Sequence, residues 1–444
     1  MCGVSRRKDA QMTLQPSRRS LVRLLSAGLG GGIFALGTGS AQAATYTDQR
    51  SLTQSEDRTT AGFDESAWTP GAPTAPGPTV PREQLLQLPG ALGGPEMVVS
   101  NNPETVTGPG WLMQHSRTSA ARGGAARSLS GTFPLYLYHQ NSTGGAAYLH
   151  VLASNPGATA VTVSARGAAW TNADKPLVQD PAMRAGTGPC YATSSDWLTG
   201  GTRVFLNPTQ VASKKMVEVA RLPMTGSILD GRLEITASSG VYTYAVVTTD
   251  GSTQTAMNLS QTDGAWAPGN IVSQTATTYG REAGVYGASA WNTGQVTLDV
   301  PAAGHHVGFA VNTTHRQVAA LDQTAPATAA LTDSSQRSWG NYGSWYNIDL
   351  LLRNNGAESR TVQLTFGSNV TGTTDVPGNT WNGAVAVSVD NAPEDIVTTY
   401  VRPTVPRDTL QTVTVATGQS RAVSLRFLVP GLITAGSQLL LESI

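Results

Sequence analysis

Side chains suited to chemistry on sugars gather in two stretches of this chain. The first holds Asp174, Asp180 and Asp196 within one irregular segment, beside Trp170, Tyr191 and Trp197. Glycoside hydrolysis needs two carboxylates flanking a groove, one to protonate the leaving oxygen and one to act as base or nucleophile. Asp180 and Asp196 are the candidate catalytic pair, although a polar loop with capping aspartates has the same composition. The second stretch is Trp339-Gly340-Asn341-Tyr342-Gly343-Ser344-Trp345-Tyr346. A flat ring face matches a pyranose face while polar neighbours take the hydroxyls, so Trp339, Tyr342, Trp345 and Tyr346 form a candidate ligand-binding platform. The same pattern also suits rings that plug a core while glycines let backbone pass close to another sheet.

Other chemistries find less support. The G-x-S-x-G elbow of an α/β hydrolase is absent, and no residue marks itself as a nucleophile. The six histidines, His115, His139, His150, His305, His306 and His315, form none of the H-x-H or H-x-x-x-H pairs that put two imidazoles on one face. His305 and His306 are adjacent and would point to opposite sides of a strand, while His139 and His150 could meet only across neighbouring strands. No calcium loop appears, so neither a metal site nor a cofactor is expected. Cys2 and Cys190 are the only cysteines. Cys190 has no nearby basic group to lower its thiol pKa and reads as structural.

The elements that must position these residues read as strands. Short period-two runs rich in Val, Thr and Tyr are broken by Gly, Pro, Asn or Asp, which predicts an all-β fold of immunoglobulin-like or jelly-roll-like sandwiches. Over Thr132 to His139, Leu135, Leu137 and His139 alternate with Tyr136 and Tyr138. Further strands are expected over Arg203 to Leu206, Met216 to Leu222, Arg232 to Ala237, Val241 to Thr248, Val413 to Val415, Ala422 to Leu428 and Gln438 to Leu441. Only Pro181 to Leu198 is expected to hold short helices. Tyr148 to Ala153 turns through Asn155-Pro156-Gly157 into Thr159 to Ala165, and Trp345 to Arg353 turns through Asn354-Asn355-Gly356 into Thr361 to Phe366. The two hairpins are compatible with a duplication, but their return strands read as starting at different offsets from the turns.

The N-terminus carries an address. Arg18 and Arg19 precede a weakly apolar, glycine-rich stretch that closes with Ala41-Gln42-Ala43, the pattern of a twin-arginine export signal cleaved between Ala43 and Ala44. Met1 and Met12 are both plausible starts. Residues 1–43 are therefore expected to be a signal peptide and 44–83 a Pro-rich disordered linker. A polar stretch from Gly251 to Asn270 suggests a boundary between a β-sandwich domain over 84–260 and a second over 261–444. The first 43 residues hold six of the 29 Lys and Arg and one of the 29 Asp and Glu, which leaves 23 bases against 28 acids and a net charge of about −5. That balance argues against nucleic acid as a partner. The C-terminus shows no apolar span or sorting motif, and no transmembrane span is expected in the mature chain.

Leu88-Pro89-Gly90, Val98-Val99-Ser100-Asn101-Asn102-Pro103-Glu104, Gly280-Arg281-Glu282-Ala283-Gly284-Val285-Tyr286, Gly418-Gln419-Ser420-Arg421 and above all the Trp339 to Tyr346 stretch resemble a family of exported proteins known mainly from cyanobacteria. The resemblance spans about 84–444. It implies no settled function and no catalytic residues. The sequence reads first as an exported, non-catalytic protein of the periplasm, cell envelope or exterior with a structural or adhesive role. A polysaccharide-binding protein is second and a carbohydrate-active enzyme third. The expected partners are cell-wall or extracellular polysaccharide or other envelope proteins.

Overall fold

A computed structural model describes residues 85–116, 122, 126–177, 185–271, 281–313, 322–368, 381–402, 405–431 and 437–444. The export residues Arg18, Arg19, Ala43 and Ala44, the segment 44–83, Asp180 and His315 lie outside the described residues.

The chain is all-β, as the alternation predicts. Among the described residues it runs through β1 (Leu86–Gln87), β2 (Ala91–Gly93), β3 (Met97–Ser100), β4 (Thr105–Val106), β5 (Gly110–Gln114), β6 (Leu129–Asn141), β7 (Tyr148–Ser154) and β8 (Val161–Thr171). Helix α1 (Pro189–Thr199) follows, then β9 (Arg203–Val211), β10 (Met216–Pro223), β11 (Ile228–Thr248) and helix α2 (Thr253–Gln261). Next come β12 (Ala283–Tyr286), β13 (Ala290–Asp299), β14 (His306–Val311), β15 (Ala327–Ala330), β16 (Trp345–Arg353) and β17 (Arg360–Ser368). The last five are β18 (Trp381–Val389), β19 (Asp395–Val401), β20 (Arg407–Val415), β21 (Ser420–Leu428) and β22 (Ser437–Ser443). Helix α1 lies where short helices were expected, with Pro189 in its first turn and left-handed Gly200 ending it.

Strand β11 organises the first body. Its first half, Ile228 to Ala237, pairs with β6 and β8, and its second half, Tyr242 to Thr248, pairs with β5 and β7. One long strand thus passes between two layers and closes a core between them. Leu135, Leu137, Val151, Val163, Leu233 and Val246 fill that core. The expected alternation of β6 holds here, since Leu135 and Leu137 enter this core while Tyr136 and Tyr138 join a separate cluster on the other side.

The second body encloses its own core between a five-stranded sheet, β1-β14-β22-β17-β20, and a six-stranded sheet, β19-β18-β21-β16-β13-β2. Phe309, Leu364, Phe366 and Leu441 face Trp291, Ile348, Leu350, Trp381 and Phe427 across it. The rings interlock, with Phe366 4.5 Å from Trp381 and Tyr346 stacked on Phe427 at 5.1 Å.

The expected boundary between 260 and 261 does not separate these bodies. Strands β1 and β2 pair with β14 and β13 of the second body, while β12 and β15 extend the first body's sheet through β3. The polar stretch that suggested the boundary instead carries α2, capped by the Ser252 hydroxyl accepting from Thr255 N–H, and Trp266, edge-on to Trp111 at 6.2 Å.

The two turns noted in the sequence are built alike. Asn155 Nδ2 donates to the Thr159 and Val211 carbonyls at 2.7 and 2.9 Å, and its Oδ1 accepts from Gly157 N–H at 2.8 Å. Asn354 Nδ2 donates to the Glu358 and Val415 carbonyls, both at 2.8 Å, and its Oδ1 accepts from Gly356 N–H at 2.9 Å. The main chain of each asparagine also bonds to a matching second turn, Lys214-Lys215 or Gly418-Gln419, whose first residue has a positive φ of 58° or 70°. The return strands β8 and β17 begin at Val161 and Arg360, each six residues beyond its asparagine, so the offsets agree where the sequence suggested they differ. Pairing β7, β8, β9 and β10 with β16, β17, β20 and β21 makes the halves topological counterparts. One carries α1 between the second and third strands of the set, and the other carries the hairpin β18–β19.

Candidate functional site

These two insertions meet where the bodies join. Asn382 Oδ1 accepts from Gly186 N–H at 3.0 Å while its Nδ2 donates to the Thr187 carbonyl at 3.0 Å, and the Tyr191 hydroxyl lies 3.1 Å from that of Thr398. Under α1 lies the outer face of the β6–β11–β8 sheet. Because side chains alternate along a strand, the residues of β11 that turn away from Leu229, Leu233 and Ile235 are Asp230, Arg232 and Glu234. Register sets Asp230 between Tyr138 and Trp170, and Arg232 between Tyr136 and Ala168.

Asp230 is buried, and its Oδ2 accepts from the Tyr136 hydroxyl at 2.7 Å. The Cys190 thiol also bonds to it, and Thr193 Oγ1 donates to its carbonyl at 3.1 Å. A Cβ on Gly431 would lie 2.4 Å from Tyr136 Oη and 2.6 Å from Asp230 Oδ2, so only glycine lets that backbone close over the group. Burial raises the Asp230 carboxyl to about 6 and pushes the Cys190 thiol and the Tyr136 phenol up. A thiol so held is a poor nucleophile, which accords with its structural reading. The Tyr138 hydroxyl beside them is buried without a hydrogen-bond partner among the described residues.

Arg232 carries the join further. Its Nε donates to the Gly343 carbonyl of the second body at 2.9 Å, and its Nη1 lies 3.3 Å from Glu234. Burial lowers it to about 10. The guanidinium lies 4.4 Å from the Trp197 ring and 5.7 Å from the Trp345 ring. Arg166 also lies over Trp197, at 5.9 Å, and Arg426 reaches Trp345 at 5.3 Å. Arg166, Trp197, Arg232, Trp345 and Arg426 thus alternate cation and ring across the two bodies.

The candidate platform is divided by this packing. Trp345 and Tyr346 are consecutive on β16, so their rings point to opposite faces: Trp345 joins the arginine stack, and Tyr346 enters the second core. The Tyr346 hydroxyl donates to Gln323 Oε1 at 3.0 Å and accepts from Asn312 N–H at 3.1 Å. Trp339 is buried and Tyr342 is half-buried against Tyr136, 6.1 Å between centroids. The four rings do not form one exposed row. The glycines match the close-packing alternative, because a Cβ on Gly340 would meet the Tyr342 ring at 2.3 Å and one on Gly343 the Tyr136 ring at 2.9 Å.

The carboxylates of the first stretch are engaged separately. Asp196 Oδ2 accepts from the Trp170 indole N–H at 2.8 Å, and Asp174 Oδ2 accepts from the Thr171 hydroxyl at 2.7 Å. The histidines do not converge. His139 lies opposite Leu229 and His150 opposite Val246, near different ends of β11. His139 donates from Nδ1 to the Pro103 carbonyl and lies 2.8 Å from the Ser100 hydroxyl through Nε2. His115 donates to the Arg127 carbonyl and accepts from Thr243 N–H at 2.9 Å. Burial pushes both imidazoles down to about 4. His150 bridges Glu218 and Thr248 at 2.6 and 2.9 Å. Among the described residues no group of three or more His, Cys, Asp or Glu could hold a metal ion, and no helix is long and apolar enough to cross a membrane.

Sequence reading missed Asp230 and Arg232. The available signal was their alternation with Leu229, Leu233 and Ile235, which gives a strand a charged face as well as an apolar one.

A family model described as a protein of unknown function, DUF3370, matches residues 83–442. No curated protein matches the chain. Among solved structures, the CUB1-EGF-CUB2 domain of human MASP-1/3 aligns at 8% identity over 75% of this chain and 100% of that one, with a TM-score of 0.16. The CUB1-EGF-CUB2 domains of rat MASP-1 align at 7% identity over 78% and 99%, also with a TM-score of 0.16. Likenesses this distant carry no statement about this chain.

Proposed function

Since the chain belongs to a family of proteins of unknown function, DUF3370, its role must be read from its own residues, and we propose that it is an exported, non-catalytic cell-envelope protein with a structural or adhesive role. One observation carries this reading. The side chains that promised chemistry are engaged in holding the fold together: Trp345 in the arginine stack between the bodies, Tyr346 in a buried hydrogen-bond network, and Asp196 on the Trp170 indole. The twin-arginine pattern at Arg18 and Arg19 supplies the route out, and that route suits a large β-body completed before it crosses.

Cell fractionation tests the proposal. The protein is expected in the envelope fraction, and Arg18→Lys with Arg19→Lys should leave it inside the cell. Recovery solely as a soluble monomer in spent medium, with nothing in the envelope, would sink the reading.

A further inference from the structure

The outer corner formed by the end of β8, the turn after it and the start of β9 carries two cations that differ from five arginines elsewhere on the surface. Arg127, Arg353, Arg407, Arg421 and Arg426 each sit on a carboxylate, namely Glu96, Asp299, Glu442, Asp390 and Glu394. Lys175 and Arg203 are exposed at this corner, and no ion pair among the described residues holds either. Both lie against the half-buried Trp170 ring, Lys175 Nζ at 4.6 Å and Arg203 Cζ at 5.9 Å, and Arg203 also covers Phe205 at 4.8 Å. The described carboxylates of this segment face other donors, Asp174 the Thr171 hydroxyl and Asp196 the Trp170 indole. Arg166 stands one strand away, opposite Val204, which at 63% is among the most exposed large apolar side chains described.

Cations held on an aromatic ring are positioned without being neutralised, so an arriving anion meets ordered partners at little entropic cost. The arrangement is a shelf on a sheet edge, where β9 pairs with β8 alone among the described strands. A repeating anion on an extended chain gains most from such a shelf, because each unit bound raises the effective concentration of the next. Exposed Val204 offers apolar contact to a sugar face, while the Phe205 ring packs against the first core beneath Arg203. We infer that this corner binds an acidic polysaccharide, its carboxylates on Lys175 and Arg203 and its sugar rings against exposed Val204. The inference deepens the envelope reading and rests on it only for where the polymer is met, because binding by purified protein does not depend on fractionation.

The test is affinity electrophoresis of the full chain in gels containing polygalacturonate, with the same polymer after carboxyl reduction as the neutral counterpart. Retardation is expected in the acidic polymer and not in the reduced one, and it should weaken with added salt. Lys175→Ala with Arg203→Ala should lower the apparent affinity about tenfold, as expected from two exposed charge contacts. The charge-conserving pair Lys175→Arg and Arg203→Lys should keep most of it. Lys215→Ala, beyond the far end of β9, should change nothing. Unchanged affinity in the double alanine variant overturns the proposal. So does equal retardation by the reduced polymer, or an equal affinity for single-stranded DNA, which would mark a site for any polyanion.

Discussion

Asp230 has an energetic role that its neighbours define. Tyr136 and Tyr138 face it from β6, Trp170 from β8, Cys190 and Thr193 from α1, and Gly431 from the second body, while Arg232 on its own strand is turned toward Glu234 and Gly343. Burial raises its carboxyl from 3.8 to about 6, so the folded protein holds a proton that the unfolded chain releases. The sign follows by linkage: the contribution is fully present below about 3.8 and is lost as pH rises through about 6. A rise of that size corresponds to roughly 3 kcal/mol. His115 and His139 act in the opposite sense, since imidazoles held near 4 withdraw stability as pH falls from 6.5. Comparing Asp230→Asn with the parent cancels the histidines. Denaturant unfolding between pH 4 and pH 7.5 should show the variant gaining on the parent by roughly 2–3 kcal/mol as pH rises, with the gain centred between 4 and 6. A difference that stays flat across that range would refute this account of the junction.

At the scale of elements, the matched turns give a sharper comparison than either half alone. Asn155 and Asn354 are both buried, and each satisfies two carbonyls and one N–H that would otherwise be left unbonded. Losing such a side chain costs about 1 kcal/mol per bond and more where a buried partner is stranded. Asn155→Ala and Asn354→Ala should therefore each destabilise by about 2–4 kcal/mol. Chemical unfolding should find the two costs within about 1 kcal/mol of each other, although the turns lie in different bodies. If one substitution is neutral, the turns are alike in outline only. These hairpins were also the most legible part of the sequence. Strand β16 reads from the sequence with its observed ends, because Tyr346, Ile348, Leu350 and Leu352 alternate with half-buried neighbours. Strands β3, β5 and β18 are not legible in the sequence for a physical reason: β3, β5 and most of β18 are buried on both faces and show no period of two. The site suffered similarly. The Trp339 to Tyr346 group stands out as a cluster in the sequence, but composition does not show that the strand's period of two sends Trp345 and Tyr346 to opposite faces.

For the whole molecule, pairing between distant segments outweighs order along the chain. Residues 86–93 supply β1 and β2 to the second body before the first begins, and β12 and β15 return to the first body from positions beyond 280. Ala283, Val285, Ala329 and Leu331 line the first core, and Leu88 lies in the second. Sequence patterning cannot reveal such exchange, because a strand's alternation marks its two faces and leaves its partner unspecified. The consequence can be measured by dividing the chain between 260 and 261. Residues 84–260 alone would expose the edge of β3, whose four residues are all buried in the intact protein, and would leave Leu88 without a core. Residues 261–444 alone would present β12 and β15 with no sheet to join and would lose β1 and β2 from theirs. Neither piece should be recovered as a soluble, cooperatively unfolding protein. Producing both pieces together should restore a complex that melts near the intact chain, because unpaired edges and exposed core strands are then covered. Cooperative unfolding of residues 84–260 in isolation would instead mean that the exchanged strands are peripheral, and that the first body is a domain in its own right.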